Sequence, residues 1–565
     1  MILPASILKS VMRFGPRLTD NGSRSHSDSW PRFRSFGHRS ARALMLALLV
    51  SLPLFACAEI SGPSKSGPPP VLNPIQIENQ KQGNASWQIS NPATSHEIEG
   101  YASAVSVPRG GAIHFFVSTA MVEQFTFDIY RMGYYGGLGG RKMQPTTVLT
   151  GHPQPSCPLR SGTDQYTFLV ECNWASSYTL RVPVSSDLTN WLSGIYLVKL
   201  TGLFSGFQSY ILFVVTDGYD NRNPQLLLQH AANLDEAYND YGGWSLYRST
   251  VHPASAKVSF NRPLANTVHG QDYDFNFSAG NFFRWEYHMV RFLERNGYDV
   301  GYITDLDTHL YGGIGLLSTP GLKGFLSVGH GDEYWTWQMR DNVENARDYG
   351  LNLGFFSADD STSQARLEDS NRTLVCYKNA SHDPVKNYLS TVYFRDPPAN
   401  RPEDQMIGIM WVQDMNAHGS WDVGPMTGHP LWLFQGVSAR TLVGLLGTEA
   451  DMPFPTSPPN LEIVSQSSYC SSTPPGVLGS CQQQQNQEPG YFDNNAYASV
   501  YTTNTFPSPA TVFAAGTFQW AWGLDNNHVV NGFEVDYTQP NPIPQSTLNA
   551  TTQMTVNILT RFLTQ

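Results

Sequence analysis

Charged residues are scarce in this chain, and their scarcity excludes several classes of protein. Of 565 residues, 14% are charged, and acidic residues outnumber basic ones by 46 to 35, a net charge of −11. A net acidic chain is a poor candidate for general nucleic-acid binding, so we expect no nucleic-acid partner. The hydrophobic content of 41% is enough for packed cores, which excludes disorder and coiled coil as the main state.

Cysteine is also sparse, and no C-x-x-C spacing occurs among the six cysteines, which argues against structural zinc. Cys157 with Cys172, and Cys470 with Cys481, are close pairs beside Pro- or Ser-rich loops, as expected of disulfides formed in an oxidising compartment. Cys376 is left over inside a short apolar run. This position is typical of a buried, inert thiol rather than a nucleophile.

No apolar run near the N-terminus is long enough to cross a bilayer comfortably, but one has the length of a signal-peptide core. Residues 1–56 carry eight basic and two acidic residues, a net charge of +6, which leaves −17 for the rest. The apolar run 43–56 leads into Cys57 as Leu-Phe-Ala-Cys, which resembles a bacterial lipobox. We therefore predict a lipoprotein-type signal peptide over residues 1–57.

This leader predicts an exported protein, periplasmic or on the outer membrane, that meets a membrane only through a lipid anchor. The alternative is cleavage within the small residues 56–58, which would release a soluble secreted protein. Residues 58–97 begin with a stretch rich in Ser, Gly and Pro, so we predict a flexible linker there.

Glycine and proline are abundant, at 48 and 38 residues, and 12% of the chain is aromatic, which favours a turn-rich β or α/β protein over a helical bundle. Short alternating runs separated by turn clusters predict a β-sandwich of immunoglobulin-like type over residues 98–217. The predicted strands are 112–117, 125–130, 178–182, 194–200 and 210–215.

Residues 218–565 show compact apolar runs alternating with helices, the pattern of a parallel sheet covered by helices on both faces. The predicted strands are 225–229, 298–304, 324–329 and 351–357. One predicted helix has Trp285, Met289, Phe292 and Leu293 on one face and ends at Gly297; a second has Trp335, Met339, Val343 and Ala346 on one face and ends at Gly350.

Reactive groups of such sheets gather at the carboxyl ends of the strands, and three strand ends carry unusual chemistry here. His330 precedes Asp332 and Glu333, residues 305–309 read Asp-Leu-Asp-Thr-His, and residues 238–247 are dense in tyrosine. Together they could supply a general base and oxygen ligands for a hard metal ion. Each motif also has a structural explanation, because carboxylates stabilise a helix N-terminus and Asp-x-Asp is common in loop networks.

Longer phrases across residues 98–563 resemble the N,N-dimethylformamidase large-subunit family. They are Gly-Tyr-Ala-Ser at 100–103, Tyr-Arg-Met-Gly-Tyr-Tyr-Gly-Gly at 130–137, Ala-Tyr-Asn at 237–239, Gly-Gly at 242–243, Ser-Val-Gly-His at 327–330, Glu-Tyr-Trp at 333–335, Asn-Leu-Gly-Phe-Phe-Ser at 352–357, Gly-Thr-Glu-Ala-Asp at 447–451 and Ala-Gly-Thr at 515–517, with Trp520, Trp522, Gly523 and Asp525. The resemblance implies an immunoglobulin-like or jelly-roll β domain joined to a glutamine-amidotransferase-like, three-layer α/β domain.

The resemblance also implies a mononuclear ferric iron held by two tyrosines and a glutamate. By motif, Glu333 matches the metal glutamate, His330 the neighbouring catalytic histidine and Glu449 a distal catalytic glutamate. For the two tyrosine ligands we choose Tyr238 and Tyr247, with Tyr287 in reserve. This site would polarise an amide carbonyl or activate water.

Two departures from the family pattern concern the same site. Gly331 is inserted between His330 and Asp332, and Asp359 stands where the family commonly has asparagine, as a further catalytic candidate. An ionised carboxylate accepts hydrogen bonds but cannot donate them, so Asp359 would repel a substrate oxygen.

These observations predict a metal-dependent hydrolase of a small amide. The alternative is a non-catalytic exported protein that binds glycans or a protein partner through an aromatic rim. A Cys-nucleophile amidotransferase, suggested by the implied fold, is disfavoured because no Gly-x-Cys-x-Gly elbow occurs. The expected partner is a small amide substrate, with a homo-oligomer or a small second subunit left open.

Overall fold

The structure is a computed structural model, and it describes residues 71–565 apart from 163, 185–186, 188–189, 218–221, 266–277, 425–430, 469–494, 506–507, 532 and 535–541. The predicted signal peptide with Cys57, and the predicted disulfide between Cys470 and Cys481, lie outside the described residues. No helix in the described part of the chain is long and apolar enough to cross a membrane.

Residues 71–97 of the expected flexible linker are ordered, which corrects the expectation for this part of the chain. Helix α1 (Pro74–Asn79) begins at an Asn73 capping box. Ile75 and Trp87 are buried at 0% and 2% exposure. The chain is fixed here because these apolar side chains join the core of the α/β domain, where Trp87 stacks on Phe283 at 5.4 Å.

Alternating apolar residues between 98 and 216 form strands, as their period of two predicts. The strands are β1 (Ile98–Ala102), β2 (Ser106–Pro108), β3 (Ala112–Thr119), β4 (Glu123–Met132), β5 (Gly140–Lys142), β6 (Thr147–Gly151), β7 (Leu159–Ser161), β8 (Phe168–Val170), β9 (Tyr178–Arg181), β10 (Gly194–Gly202) and β11 (Gln208–Thr216). All five predicted strands of this region are confirmed, with ends shifted by a few residues.

Two sheets, β1-β3-β9 and β2-β11-β10-β4-β5 with β6 on β4, enclose one core, while β7 pairs with β8. Most pairings are antiparallel, and β2 runs parallel to β11. Rings of Phe115, Phe127 and Phe213 meet edge-on at the centre of this core. We refer to residues 98–217 as the β domain.

The predicted disulfide between Cys157 and Cys172 is present, and it closes a loop beside β7 and β8. Cys376 is a buried free thiol, as predicted, and burial raises its pKa to about 12, which disfavours the reactive thiolate. Cys376 packs among apolar side chains that include Leu374.

Replacing Cys157 and Cys172 together with serine is expected to lower the free energy of unfolding by about 3 kcal/mol, because the bond restricts a loop of 15 residues in the unfolded chain. Urea denaturation followed by tryptophan fluorescence measures the change. Wild-type protein in reductant should unfold at the same urea concentration as the double variant. An unfolding midpoint that reductant leaves unchanged would contradict this prediction.

Beyond residue 225 the chain alternates strands and helices. The strands are β12 (Leu226–His230), β13 (Lys257–Ser259), β14 (Val300–Thr304), β15 (Gly324–His330), β16 (Tyr334–Thr336), β17 (Asn352–Ala358), β18 (Ser363–Glu368), β19 (Thr373–Val375), β20 (Met410–Asp422), β21 (Thr441–Met452), β22 (Glu462–Ser468), β23 (Asn495–Thr502), β24 (Thr511–Ala514), β25 (Val529–Val530) and β26 (Phe533–Glu534). The helices are α2 (Ala232–Tyr238), α3 (Tyr287–Arg295), α4 (Asp305–Tyr311), α5 (Trp337–Asp348), α6 (Asp404–Ile407) and α7 (Gln545–Thr564).

The main sheet has the order β14-β12-β15-β17-β24-β23-β22, and its first five strands are parallel. Helices α3 and α7 contribute to the core on one face, and α5 and α6 to the core on the other. Leu226 and Leu228 point to the first core and Leu227 to the second, which is why these strands are continuously apolar. The four predicted parallel strands are confirmed.

Two details of the helix predictions are wrong. Trp335 lies in β16 rather than on α5, because Thr336 is the N-cap of α5 and the helix begins at Trp337, two residues after Trp335. Residues 305–309 form the first turns of α4 rather than a loop. Thr304 and Asp307 make a capping box, and Asp307 also accepts a hydrogen bond from Ser106, so the structural explanation holds for this carboxylate.

The described residues, from 71 onward, belong to one compact unit, in which the β domain contacts the α/β domain. A buried ion pair between Arg131 on β4 and Glu294 on α3 lies at this contact, at 2.7 Å and with both side chains 0% exposed. The Tyr302 hydroxyl donates a hydrogen bond to Glu294 at 3.0 Å. The two domains are therefore joined by a polar contact shielded from water.

Candidate functional site

The carboxyl ends of neighbouring parallel strands bring polar side chains to one edge of the main sheet. Strand β12 ends at His230, β14 leads into Asp305, β15 ends at His330, and β17 is followed by Asp359. Because β12 pairs in parallel with β14 and β15, and β15 with β17, these ends meet at the same edge. The predicted site is built there.

Oxygen atoms of two phenols and a carboxylate lie in contact at this edge. The Tyr247 hydroxyl donates a hydrogen bond to Oε2 of Glu333 at 2.6 Å, and the Tyr334 hydroxyl donates to Oη of Tyr247 at 2.7 Å. The Ser363 hydroxyl donates to Oε1 of Glu333 at 3.1 Å. We call Tyr238, Tyr247, Glu333 and Tyr334 the phenol cluster.

Tyr238, the last residue of α2, joins the cluster through its ring. It stacks on Tyr247 with centroids 4.3 Å apart and meets His330 edge-on at 5.1 Å. The structure thus brings Tyr238, Tyr247, Glu333 and His330 together. Tyr287, the reserve candidate, lies elsewhere: it packs on Trp87 in the core, because α3 turns this face toward the interior.

His330 is held by close packing at the end of β15. The centroid of its ring lies 4.0 Å from the ring centroid of Phe518 and 6.0 Å from that of Trp285. Gly329 allows this close packing. Its φ is +89°, and a Cβ atom at this position would lie 2.5 Å from Cβ of Trp285. Burial lowers the pKa of His330 to about 3, so its imidazole is neutral at ordinary pH.

Gly331, the residue that departs from the family pattern, is fixed by its contact with β17. A Cβ atom at this position would lie 1.8 Å from the carbonyl oxygen of Ala358. The turn that leads to Glu333 therefore passes directly against the end of the neighbouring strand. Only glycine allows this approach.

Lys378 is a member of the site that the sequence did not indicate. Its Nζ lies 3.8 Å from Oε1 of Glu333 and 3.9 Å from the ring centroid of Tyr247. No motif marks this lysine, which follows β19 in a polar loop. Tyr334 was also missed, although it stands in the Glu-Tyr-Trp phrase next to a predicted metal ligand.

Asp359 and Glu449 form a second group of acidic oxygens. Their carboxyl groups are hydrogen-bonded to each other, and the Thr362 hydroxyl donates to Oδ1 of Asp359. The backbone N–H of Asp359 donates to Oδ1 of Asp451 at 3.2 Å. Burial, and then the neighbouring Glu333 carboxylate, raise the pKa of Asp359 well above its usual range.

A hydrogen-bonded acidic layer lies beneath the site. Nε2 of Gln229 donates to Asp332 at 2.6 Å, and His230 lies between Glu286 at 2.9 Å and Asp235 at 3.3 Å. Although burial lowers the pKa of His230, these carboxylates hold it well above its usual value. A protonated His230 offsets part of the negative charge of the layer.

The donor set of the phenol cluster fits a hard cation. No group of three His, Cys, Asp or Glu side chains with metal-binding geometry occurs among the residues that the structure describes. A metal ion at this edge would therefore need tyrosine oxygens among its ligands. The Tyr247 hydroxyl and the Glu333 carboxylate already face each other at hydrogen-bond distance, so a cation there would take the place of the phenolic proton.

The β domain braces the segment that carries the tyrosines. Phe168 stacks on Trp244 with centroids 4.2 Å apart, and the Tyr241 hydroxyl donates to Glu99 at 2.7 Å. The N–H of Cys172, one half of the disulfide, donates to the carbonyl of Asn261 at 2.7 Å. These contacts flank Tyr247 on both sides in the sequence.

Comparison with known proteins agrees with the motifs on this edge. Residues 126–532 match the family model described as N,N-dimethylformamidase beta subunit-like, C-terminal. The chain belongs to this family. Membership in the dimethylformamidase β-subunit-like family suggests an amide hydrolase, and the matched region includes all the residues of the phenol cluster.

Other comparisons add little to the family assignment. No curated protein matches the chain. A solved structure of Pseudomonas fluorescens alkylpurine DNA glycosylase AlkC, bound to DNA containing an abasic site analog, matches 21% of this chain at 11% identity. The match spans 30% of that protein's own length with a TM-score of 0.13, too slight a likeness to bear on fold or function.

Proposed function

We propose that the protein hydrolyses the carbon–nitrogen bond of a small amide at the phenol cluster. Membership in the dimethylformamidase β-subunit-like family supports this reaction class. The observation that carries the proposal is the contact between the Tyr247 hydroxyl and the Glu333 carboxylate at 2.6 Å. Gathering buried polar oxygens costs stability, so a functional reason for the arrangement is favoured.

We also propose a mononuclear ferric iron, held by Tyr238, Tyr247 and Glu333. Phenolate and carboxylate oxygens are hard donors, which supports a hard cation at this position. When bound, such an ion supplies Lewis acidity that polarises an amide carbonyl.

The side chains around the cluster bind substrate and move protons in this proposal. Glu449 takes the proton of the attacking water. His330 stays neutral, so it exchanges a hydrogen bond with the substrate without adding charge. The Lys378 ammonium, 3.8 Å from Glu333, adds positive charge where the carbonyl oxygen becomes negative.

The types of the two domains and the cellular location of the protein are also part of the proposal. We infer that the β domain is of immunoglobulin-like type and that the α/β domain has the three-layer, amidotransferase-like arrangement, which the cores on both faces of the main sheet support. The basic leader and its Leu-Phe-Ala-Cys sequence support export as a lipoprotein.

Tyr247→Phe tests this proposal, because it keeps the ring that stacks on Tyr238 and removes the oxygen. Wild type purified from iron-supplemented cells should contain iron, show a tyrosinate-to-iron charge-transfer colour and release amine from N,N-dimethylformamide or another small aliphatic amide. Tyr247→Phe should lose the colour and the activity. Elemental analysis, visible absorption and an amine assay provide the three measurements.

Tyr349→Phe is the matched control, since Tyr349 is 85% exposed and should keep both properties. Colourless, iron-free wild type that releases no amine from any amide tested would refute the proposal.

A further inference from the structure

A cavity of about 750 Å³ lies between the β domain and the α/β domain, and it is lined by none of the residues of the phenol cluster. Residues 103–106 and Pro108 form one wall, and residues of β12, β14 and α4 contribute to the other. The Ser106 hydroxyl joins the two walls through its hydrogen bond to Asp307 at 2.8 Å. Pockets of this size hold small organic ligands in other proteins.

Much of the cavity lining is apolar. Leu227, Ile303 and Leu306 line it and are almost completely buried, whereas Leu310 and Tyr311, at the end of α4, are 40% and 45% exposed. The two exposed side chains therefore lie at the opening of the cavity. An aliphatic chain bound here would remove this apolar surface from water, which is favourable.

Arg372 brings a positive charge to the same cavity. Its Nε donates to Asn261 at 2.8 Å, and its Nη2 donates to the carbonyl groups of Ala102 and Phe260 at 2.9 and 2.6 Å. Its Nη1 has no hydrogen-bond partner among the residues that the structure describes. Burial lowers the pKa of Arg372 to about 10, so the guanidinium group is still charged at neutral pH.

No carboxylate in the described part of the chain forms an ion pair with Arg372. Glu171 and Glu236 are the acidic groups that act on it, and each of them binds another arginine. Glu171 pairs with Arg160 at 3.0 Å, and Glu236 pairs with Arg262 at 3.4 Å. A partly buried cation in this position favours an anion from outside the chain.

The acidic side chains of the lining already have partners within the protein. Asp217 accepts a hydrogen bond from Arg222 at 2.5 Å, and Asp307 belongs to the capping box of α4. Arg222 also pairs with Asp299 at 2.7 Å, so two carboxylates balance its charge. Arg372 is therefore the cation of this lining whose charge is available to a ligand.

We propose that this cavity binds a single-chain aliphatic carboxylate, with its carboxylate at Arg372 and its chain against the apolar side chains of β12, β14 and α4. One available guanidinium group matches a charge of −1, which favours a carboxylate over a phosphate monoester, whose charge is about −2. The inference does not depend on the proposed amide hydrolysis, because the phenol cluster takes no part in this site.

Calorimetric titration of decanoate into the purified wild-type protein, below the critical micelle concentration, tests the site. One decanoate should bind per chain. Butyrate should bind much more weakly, because its shorter chain removes less apolar surface from water. Decan-1-ol has the same chain without the charge, and it should bind about 10-fold to 100-fold more weakly than decanoate.

Two variants test the two parts of the cavity. Arg372→Gln removes the charge and keeps an amide that can donate to a carbonyl group. It should bind decanoate about 10-fold to 100-fold more weakly than wild type and bind decan-1-ol equally well. Leu310→Asp places a negative charge at the opening and should weaken decanoate binding by about tenfold or more. Leu431→Asp is the matched control, since Leu431 is 84% exposed and does not line the cavity.

Absence of saturable decanoate binding to wild type overturns the inference even if amides are hydrolysed. Equal decanoate affinities of wild type, Arg372→Gln and Leu310→Asp overturn it as well, because the ligand then binds elsewhere. Urea denaturation shows whether each variant is folded. If Arg372→Gln is not, Leu310→Asp and its control decide the outcome.

Discussion

The proposed iron site predicts that Glu333→Gln contains no iron and that its kcat/KM for amide hydrolysis is lower by about 10³-fold. A Lewis-acidic ion contributes several kcal/mol to the stabilisation of developing charge, and each 1.36 kcal/mol corresponds to about a tenfold change in rate. Glutamine keeps the size of the side chain and can still accept hydrogen bonds from Tyr247 and Ser363. It lacks the negative charge that a cation needs.

Loss of the iron site should not unfold the protein. Lys378, which loses a charged neighbour, has a side chain that is 30% exposed and can be solvated. Metal content, steady-state kinetics and a urea denaturation curve separate these effects. Glu368→Gln is the control, because Glu368 on β18 pairs with Lys257 on β13 and is 36% exposed. Iron and activity that survive in Glu333→Gln would contradict this prediction.

Arg131→Met is expected to lower the free energy of unfolding by about 3 to 5 kcal/mol, because it leaves Glu294 charged and buried without its partner. The guanidinium group binds Glu294 through two hydrogen bonds, of 2.7 and 3.0 Å. Arg131 also donates to Tyr135 at 2.9 Å, so the variant disrupts a network as well as a pair. Urea denaturation measures the loss.

A double variant, Arg131→Met with Glu294→Leu, should recover most of that stability, since no uncompensated charge remains. Lys142→Met is the surface control. Its partner Asp128 lies at 2.8 Å, but both side chains are partly exposed, and we expect a loss of at most about 1 kcal/mol. If Arg131→Met and Lys142→Met lose equal amounts of unfolding free energy, the buried pair contributes no more to stability than the exposed pair, and the prediction is wrong.

The parallel strands and their polar ends could be predicted from the sequence because both depend on local pattern. Continuous apolar runs such as 324–329 identify buried strands, and the residues after them must lie at the sheet edge. This reasoning placed His330 and Glu333 near Tyr238 correctly. It left the role of Asp307 open, and the structure makes this residue the capping-box partner of Thr304.

The remaining parts of the site depend on contacts that no local pattern encodes. Lys378 reaches Glu333 from a loop 45 positions further along the chain, and nothing in its neighbours marks it. The sequence predicts Asp359 as a catalytic candidate whose carboxylate would repel a substrate oxygen. Glu449 comes near Asp359 because β21, which pairs with β20 outside the main sheet, contacts β17.

The contacts between the β domain and the tyrosine segment have a consequence for how such a protein can change over evolution. The chemistry resides on the α/β side, yet Phe168 and the disulfide at Cys172 hold the segment around Tyr247 in place from the other side. A recombination event that exchanged the β domain alone would also exchange the support of the phenol cluster. The two domains are therefore expected to be inherited together.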